Sequence, residues 1–456
     1  MRDLTQGSIT RHLLGMAAFI GIGLIVQTLY LLIDLYFVSR LGPVAVAGVS
    51  TAGVSTFIGM AASQLIAVGA LSLIAQAIGR KDDGDAQLVF DQALSLSLVT
   101  ALFTLVIGYT LGVIGVRALG ADPATSRQAE IYLMAFLPSL ACMFPMSAIG
   151  SALRASGVVG PPMMIQSMTV LVNALLAPIL IAGWGTGHPL GVAGAGLASS
   201  IATSIGIFVL ALRFNHFQKN LVLHLPSLAP RFPVWRRIVA IGFPSAGEFV
   251  LMFIINGVVF AIIRDFGSDA QAAFGIGARI SQSIFLPAMA VAFAAAPIAG
   301  QNFGARRGDR VIGTFARSAT ISSAIMVTLT LLCQIKPEIL IYPFTRNPNV
   351  VAIGAEYLHI SSWNFLAIGL IFSCSGMFQA LGNTRPVLLS SGSRLLTFVL
   401  PVIWLAHRPG AQLHDFWHLS VASVLLQAAI SLLLLRHQLG RKLNFEPQAT
   451  AMPSGV

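Results

Sequence analysis

The sequence predicts an all-α polytopic membrane protein, with twelve transmembrane helices arranged as two six-helix lobes related by a pseudo-two-fold axis along the membrane normal. Three observations carry that reading. Of 456 residues, 56% are hydrophobic and only 9% are charged, whereas a water-soluble domain carries about 25% charged residues. Apolar runs of about 20 residues or more recur, each long enough to cross a hydrocarbon core roughly 30 Å thick at about 1.5 Å per residue. Finally, short motifs of the first half return in the second.

The expected spans are 13–39, 44–78, 88–116, 128–153, 162–184, 190–213, 238–263, 270–300, 311–335, 350–380, 386–406 and 414–437. Lipid cannot satisfy an exposed backbone, and a barrel would alternate over segments of about ten residues, so long uniform apolar runs mean helices. The run from Leu13 is too long for a signal-peptide core and lacks a small-residue cleavage site, so it is expected to stay as the first helix.

A net charge of +11 would suit nucleic acid if the basic residues formed one patch. Instead most of the 27 Lys and Arg fall in loops on one side, among them Arg80, Lys81, Arg236, Arg237, Arg306, Arg307, Arg441 and Lys442. The positive-inside rule makes that side cytoplasmic. The expectation is a multi-pass, monomeric protein of the cell (inner or plasma) membrane with both termini cytoplasmic, surrounded by lipid and without a nucleic-acid partner.

The repeats come next. "AQAIGRKDDGD" (75–85) resembles "GQNFGARRGD" (300–309) at an offset of 225, and "ALRASGVVGPP" (152–162) resembles "ALGNTRP" (380–386) at 228. Both are close to half the chain length. An even number of spans per half gives parallel repeats. The expected organisation is an N-terminal lobe (1–213), a linker (214–237) containing "FNHFQKNLVLHLPSLAPRFPVWRR", a C-terminal lobe (238–440) and a disordered tail (441–456).

Two matched lobes flanking a midplane site are the architecture of alternating access. An enzyme is not expected, because neither a Walker motif nor HExxH is present. His414 and His418 in "HDFWH" share a helical face near a membrane interface and are not read as a metal site; Cys142, Cys333 and Cys374 lie in spans at unrelated spacings and read as small hydrophobes. The Gly-rich "GVAGAGLAS" follows no strand and reads as a helix-packing surface.

The ordered set "LYLLIDLYFVSRLG", "AQAIGRKDDGD", "LVNALLAP", "GVAGAGLASS", "FGIGARI", "AGQNFGA" and "ALGNTRPVLL" resembles the multidrug and toxic compound extrusion (MATE) transporters over nearly the whole chain. The resemblance implies an antiporter that exports small lipophilic, often cationic, compounds in exchange for protons or sodium ions, with no cofactor besides that ion. It also implies a cation site in the N-terminal lobe. Asp34 matches the family's first-helix aspartate, Gln27 and Tyr30 its polar neighbours, and Asn173 the fifth-helix asparagine, while Ser199 stands where a sixth-helix threonine is expected.

Two departures bear on the ion. Sodium-site members commonly carry an aspartate four residues after the asparagine, where this chain has Ala177, and the first helix lacks the proline on which some members bend. The acids of the NorM-like branch are not matched either: Glu248 falls early in helix 7 and the helix 10 position is Ile371 or a neighbour. The expectation is therefore a proton-coupled exporter closer to the DinF-like type. A sodium-coupled exporter and a lipid-linked oligosaccharide flippase of related fold are the alternatives.

Charges at depth complete the candidates. A charge at mid-membrane costs about 2.5–3.5 kcal/mol even on insertion scales, so each is a functional candidate by default. Glu248, Arg279 and Arg394 all come out near the midplane and are expected to form a second intramembrane cluster.

Overall fold

The computed structural model describes residues 3–119, 122–185, 187–218, 221–223 and 228–444. The expected tail (441–456) is corrected at its start, where the last helix runs on to Lys442; its residues from 445 onward and parts of the expected linker (219–220 and 224–227) lie outside the described residues. Helices α1 to α9 run Ile9–Ser39, Pro43–Gly79, Asp83–Arg117, Pro123–Ala155, Gly160–Ala182, Val192–Phe217, Phe232–Phe266, Ser268–Gly304 and Gly308–Ile335. Helix α10 is a pair, Pro348–Ser361 and Asn364–Ala380, bent by 53°, and α11 and α12 are Arg385–Ala406 and Leu413–Lys442. Among the described residues eleven helices are long and apolar enough to span, and the bent pair, counted as one span, brings the number to twelve.

Several helices begin before their apolar runs because polar residues cap them. Ser8 accepts from the Arg11 amide, Asp82 from that of Asp85, and Asp122 from those of Ala124 and Thr125. Each cap satisfies an amide that the first turn leaves without an intrahelical partner. The linker shrinks to 218–231, because α6 runs to Phe217 and α7 starts at Phe232 with a proline in its first turn. Its described residues are tied to α3, where Gln87 exchanges two hydrogen bonds with Val222, at 2.7 and 2.8 Å, and Gln92 bridges Ala229 and Arg231.

The packing order repeats after six helices. In the first half α2 packs on α3 and α4, α4 on α3 and α6, and α5 on α1 and α6; in the second α8 packs on α9 and α10, α10 on α9 and α12, and α11 on α7 and α12. The halves meet through α1 on α8, α2 on α7 and α2 on α8, which is the set a two-fold axis generates.

One offset, 225 residues, relates the two halves throughout. Eight of the twelve residues with positive φ among the described residues fall in matched pairs: Gly42 and Gly267, Lys81 and Arg306, Gly157 and Gly382, Gly185 and Gly410. The second sequence match, read at 228, is thereby corrected to 225, because Gly157 and Gly382 end the two helices with the same hydrogen bond, Val158 to Leu153 and Asn383 to Phe378. At the axis Gln76 donates to the Ala380 carbonyl at 2.8 Å and Gln301 to the Ala155 carbonyl at 2.7 Å.

Glycine makes this contact possible. A Cβ on Gly79 would lie 2.0 Å from the Gln301 carbonyl oxygen, and one on Gly304 2.1 Å from that of Gln76. Side-chain-free positions let two backbones touch, the usual device of membrane helix packing. The face carrying the termini is therefore sealed: α2 over 61–79 and α8 over 288–302 are almost wholly buried, whereas 43–60 and 268–287 are only partly so. The N-terminal segment is stapled onto this seal, with the Leu4 amide donating to Gln301 and its carbonyl accepting from Asn302.

Candidate functional site

The expected cation site is assembled from three helices that converge by small-residue packing. A Cβ on Gly194 of α6 would collide with the Leu180 carbonyl of α5, and one on Gly196 with the Tyr132 carbonyl of α4. Both helices are thus drawn against α6, and the next turn of α6 presents Ser199. The Tyr30 hydroxyl donates to Ser199 Oγ at 2.6 Å, and Asn173 Nδ2 donates to the same oxygen at 3.3 Å. Asn173 and Ser199 are fully buried.

Asp34 lies one turn beyond Tyr30 on α1, within electrostatic reach of the Tyr30 and Tyr132 hydroxyls. Its Oδ1 is buried and has no hydrogen-bond partner among the described residues, and the same is true of Asn173 Oδ1. Two orphan oxygens thus sit on the residues that the sequence singled out. Gln27 is exposed and shares no hydrogen bond with this group among the described residues. Ala177 is fully buried in an apolar cluster with Tyr132, Leu133 and Val38.

The sequence reading missed Tyr132 and the neighbouring serines. Ser200 Oγ donates to the Ala135 carbonyl at 2.6 Å and accepts from the Ser139 amide at 3.2 Å, so a hydroxyl is inserted into an opened i to i−4 bond of α4. The preceding residue, Pro138, shows why the turn is loose: a proline mid-helix removes one amide and crowds the carbonyl four residues back. Nothing in the chain near Tyr132 flags it, but the 225-residue repeat does, since Tyr357 is its partner.

The second expected cluster is rearranged. Glu248 and Arg394 line one cavity of about 270 Å³ inside the C-terminal lobe. No ion pair within 4.0 Å joins them among the described residues; Glu248 accepts from Ser391 at 3.3 Å, and the Arg394 guanidinium stands 5.2 Å from the centroid of the Phe398 ring. Arg279 does not join them: it is exposed and does not line the cavity. Helix phase explains this, because depth alone does not say which way a side chain points. Among the described residues no group of three or more His, Cys, Asp or Glu is placed to hold a metal ion.

The 225-residue offset maps one lobe's site onto the other's cavity. Tyr30, Asp34, Asn173 and Ser199 fall on Ile255, Val259, Phe398 and Val424, and all four of these line the cavity. Tyr132 falls on Tyr357, which lines it too.

A two-fold bundle of this kind, with a polar group in one lobe and a cavity in the other, is that of a membrane transporter. The MatE family profile matches residues 20–179 and 244–405, and the chain belongs to that family. It is 27% identical over 423 residues to the "Probable multidrug resistance protein YpnP" of Bacillus subtilis, covering 91% of this chain and 90% of that one. It is 22% identical to an "FAD transporter" of Shewanella oneidensis, covering 88% of each. Among solved structures, one described as the outward-facing conformation of a multidrug resistance MATE family transporter shares the fold, with a TM-score of 0.89 at 22% identity over 96% of this chain and 98% of that one.

Proposed function

We propose that the protein is a secondary antiporter of the cell membrane that exports small lipophilic, often cationic, compounds by alternating access, exchanging them for protons at Asp34. The observation that carries this reading is the buried orphan oxygen of Asp34 beside the Tyr30–Ser199–Asn173 hydrogen bonds. A buried carboxylate without a cationic partner is expensive to keep charged. A proton neutralises it with no further ligand. The relative from Bacillus subtilis named for multidrug resistance, matched over 91% of this chain and 90% of its own, supports the substrate class. The seal at the terminal face supports a cycle in which that seal opens in the other state, and the basic loops on that face support a cytoplasmic placement of both termini.

A second reading, sodium coupling, is favoured by one observation: Asn173 Oδ1 is an orphan as well, which gives a metal ion two oxygens. Sodium needs several more, and Ala177 supplies none. The test is efflux of a fluorescent cation from proteoliposomes under a proton gradient and a sodium gradient imposed separately. Transport driven by the proton gradient alone is expected. Transport driven by sodium alone would replace this choice of ion with the second reading.

A further inference from the structure

The cavity of the C-terminal lobe occupies the symmetry-related place of the cation site but has lost its polar groups, with valine, isoleucine and phenylalanine standing where the other lobe has Asp34, Tyr30 and Asn173. In their place it has two charges with no counterpart in the first lobe, where Glu248 corresponds to Gly23 and Arg394 to Thr169. The two were not brought together to neutralise one another. Arg394 Nε has no hydrogen-bond partner among the described residues, and the guanidinium faces the Phe398 ring. Burying a cation without an acceptor opposes stability unless something else is gained by keeping it.

The surrounding walls point the same way. Trp417 lines the cavity and is 3% exposed, and its buried indole N–H lacks a partner among the described residues, a second donor without an acceptor in the cavity wall. Phe274 and Trp417 stack at 5.7 Å and Tyr357 stands edge-on to Trp417 at 4.9 Å, giving a flat aromatic wall. Immediately after Arg394 the helix widens into a π-turn, Leu395–Val399, ahead of Pro401, whose ring disfavours a normal turn.

We propose that this cavity is a ligand site for aromatic zwitterions, in which Arg394 and the Trp417 N–H take an acidic group, Glu248 takes an ammonium and the aromatic wall takes the body. Guanidinium pairs well with the flat, two-oxygen face of a carboxylate or sulfonate. A simple organic cation gains from Glu248 but is repelled by Arg394, and a simple anion meets the reverse. The inference deepens the transporter reading and rests on it, assigning ion coupling to the first lobe and zwitterion selection to the second.

The test uses three fluorescent probes that differ only in their charges, with the full chain purified in detergent. These are Nε-dansyl-lysine (ammonium and carboxylate), dansylcadaverine (ammonium alone) and dansyl-aminohexanoate (carboxylate alone). The zwitterion is expected to bind about tenfold or more tighter than either, as a charged hydrogen bond gained at each end implies. Arg394→Gln should bring the zwitterion down to the level of dansylcadaverine, and Glu248→Gln down to that of dansyl-aminohexanoate, while Arg394→Lys retains part of the preference. Dansylcadaverine binding as tightly as the zwitterion, or an Arg394→Gln protein that folds and keeps the parental ranking, would overturn the proposal. If Arg394→Gln does not fold, Trp417→Phe decides: weaker binding of both carboxylate probes supports the site, and unchanged binding overturns it. Efflux assayed in parallel separates the two levels, since efflux without zwitterion preference overturns this inference alone, and absence of gradient-driven efflux overturns the reading beneath it.

Discussion

Ser139 of α4 and Asn364 of α10 occupy the same place in the two lobes, 225 residues apart, and the chain treats them differently. Around Ser139 the helix stays continuous, its one opened hydrogen bond bridged by the Ser200 hydroxyl. At Asn364 the helix breaks by 53°, and the carbonyls released at His359 and Ser362 are taken by Gln334 and Thr330 of α9. The first arrangement closes around a group of short hydrogen bonds; the second leaves a cavity. Near the terminal face the lobes remain near-copies, down to the paired glutamines. Symmetry persists where the lobes pack on each other, and divergence is concentrated deeper in each lobe, where the first holds the Tyr30–Ser199–Asn173 hydrogen bonds and the second a cavity.

The largest expected effect tests the first lobe's share of that division. Asp34→Asn keeps the shape and neutral charge of a protonated aspartate but cannot release a proton. The variant is expected to insert and fold at parental levels while gradient-driven efflux falls to that of empty liposomes. Parental uphill efflux from a well-folded Asp34→Asn protein would remove the coupling role from this residue and leave the lobes without the proposed difference.

Next in size is a pair of changes at the sealed face, where the lobes should behave alike. Gly79→Ala and Gly304→Ala each drive a methyl group against backbone, 2.0 and 2.1 Å from a carbonyl oxygen, with no flexible side chain to yield. Each is expected to destabilise by about 1–3 kcal/mol, as overpacking does, and by similar amounts. Gly15→Ala, with open space at its Cβ, is the control. Thermal unfolding in detergent measures all three. Strongly unequal losses at Gly79 and Gly304 would show that the axis contact is less symmetric than its hydrogen bonds.

These features differ in how legible they were. Spans and lobes follow from hydropathy and from the repeat, because each is a periodic signal, whereas the capped first turns lie upstream of the apolar runs, where hydropathy passes over them. The α10 break had no such signal: "ISSWNFL" contains neither glycine nor proline, and the loose carbonyls at the bend accept from side chains of α9. The link between Tyr30, Asn173 and Ser199 was reached through family resemblance, since no spacing in one sequence joins residues 143 and 26 positions apart. Arg279 shows the limit of depth arithmetic: residues equally deep in the membrane can face opposite ways.

A smaller effect is expected at Ser199, the shared acceptor. Ser199→Ala removes the oxygen that receives both Tyr30 and Asn173, and loss of one net hydrogen bond corresponds to about a fivefold change in an equilibrium. Proton-driven efflux should fall about fivefold, while Val424→Ala, the matching change in the other lobe, leaves coupling intact. Equal losses in the two variants would mean that Ser199 acts by packing alone.

The smallest effect isolates the lobes by charge at a single matched cap. Asp122 starts α4 and Asn347 starts α10, at the same offset and each followed by proline. Asp122 accepts from the amides of Ala124 and Thr125 at 2.9 Å, and Asn347 accepts from the amide of Asn349 at 3.0 Å. The backbone and hydroxyl hydrogen bonds from Thr125, together with that from Ala124, favour the charged carboxylate and hold Asp122 below its ordinary value of 3.8. A depressed folded-state value means that the cap's contribution is fully present above that ordinary value and is lost as pH falls through the depressed one. Asn347 has no proton to gain, so its own cap bond survives acidification; its side-chain amide also donates to Asp269 Oδ1 at 3.4 Å, which makes Asp269→Asn the background for the comparison. Hydrogen exchange over the first turns of α4 and α10, corrected for intrinsic rates, should show protection fading on acidification at α4 and holding at α10. Asp122→Asn should make the two ends respond alike. If both ends lose protection together in the parental protein, acid is acting on the bundle as a whole, and the difference between the caps carries no consequence for stability.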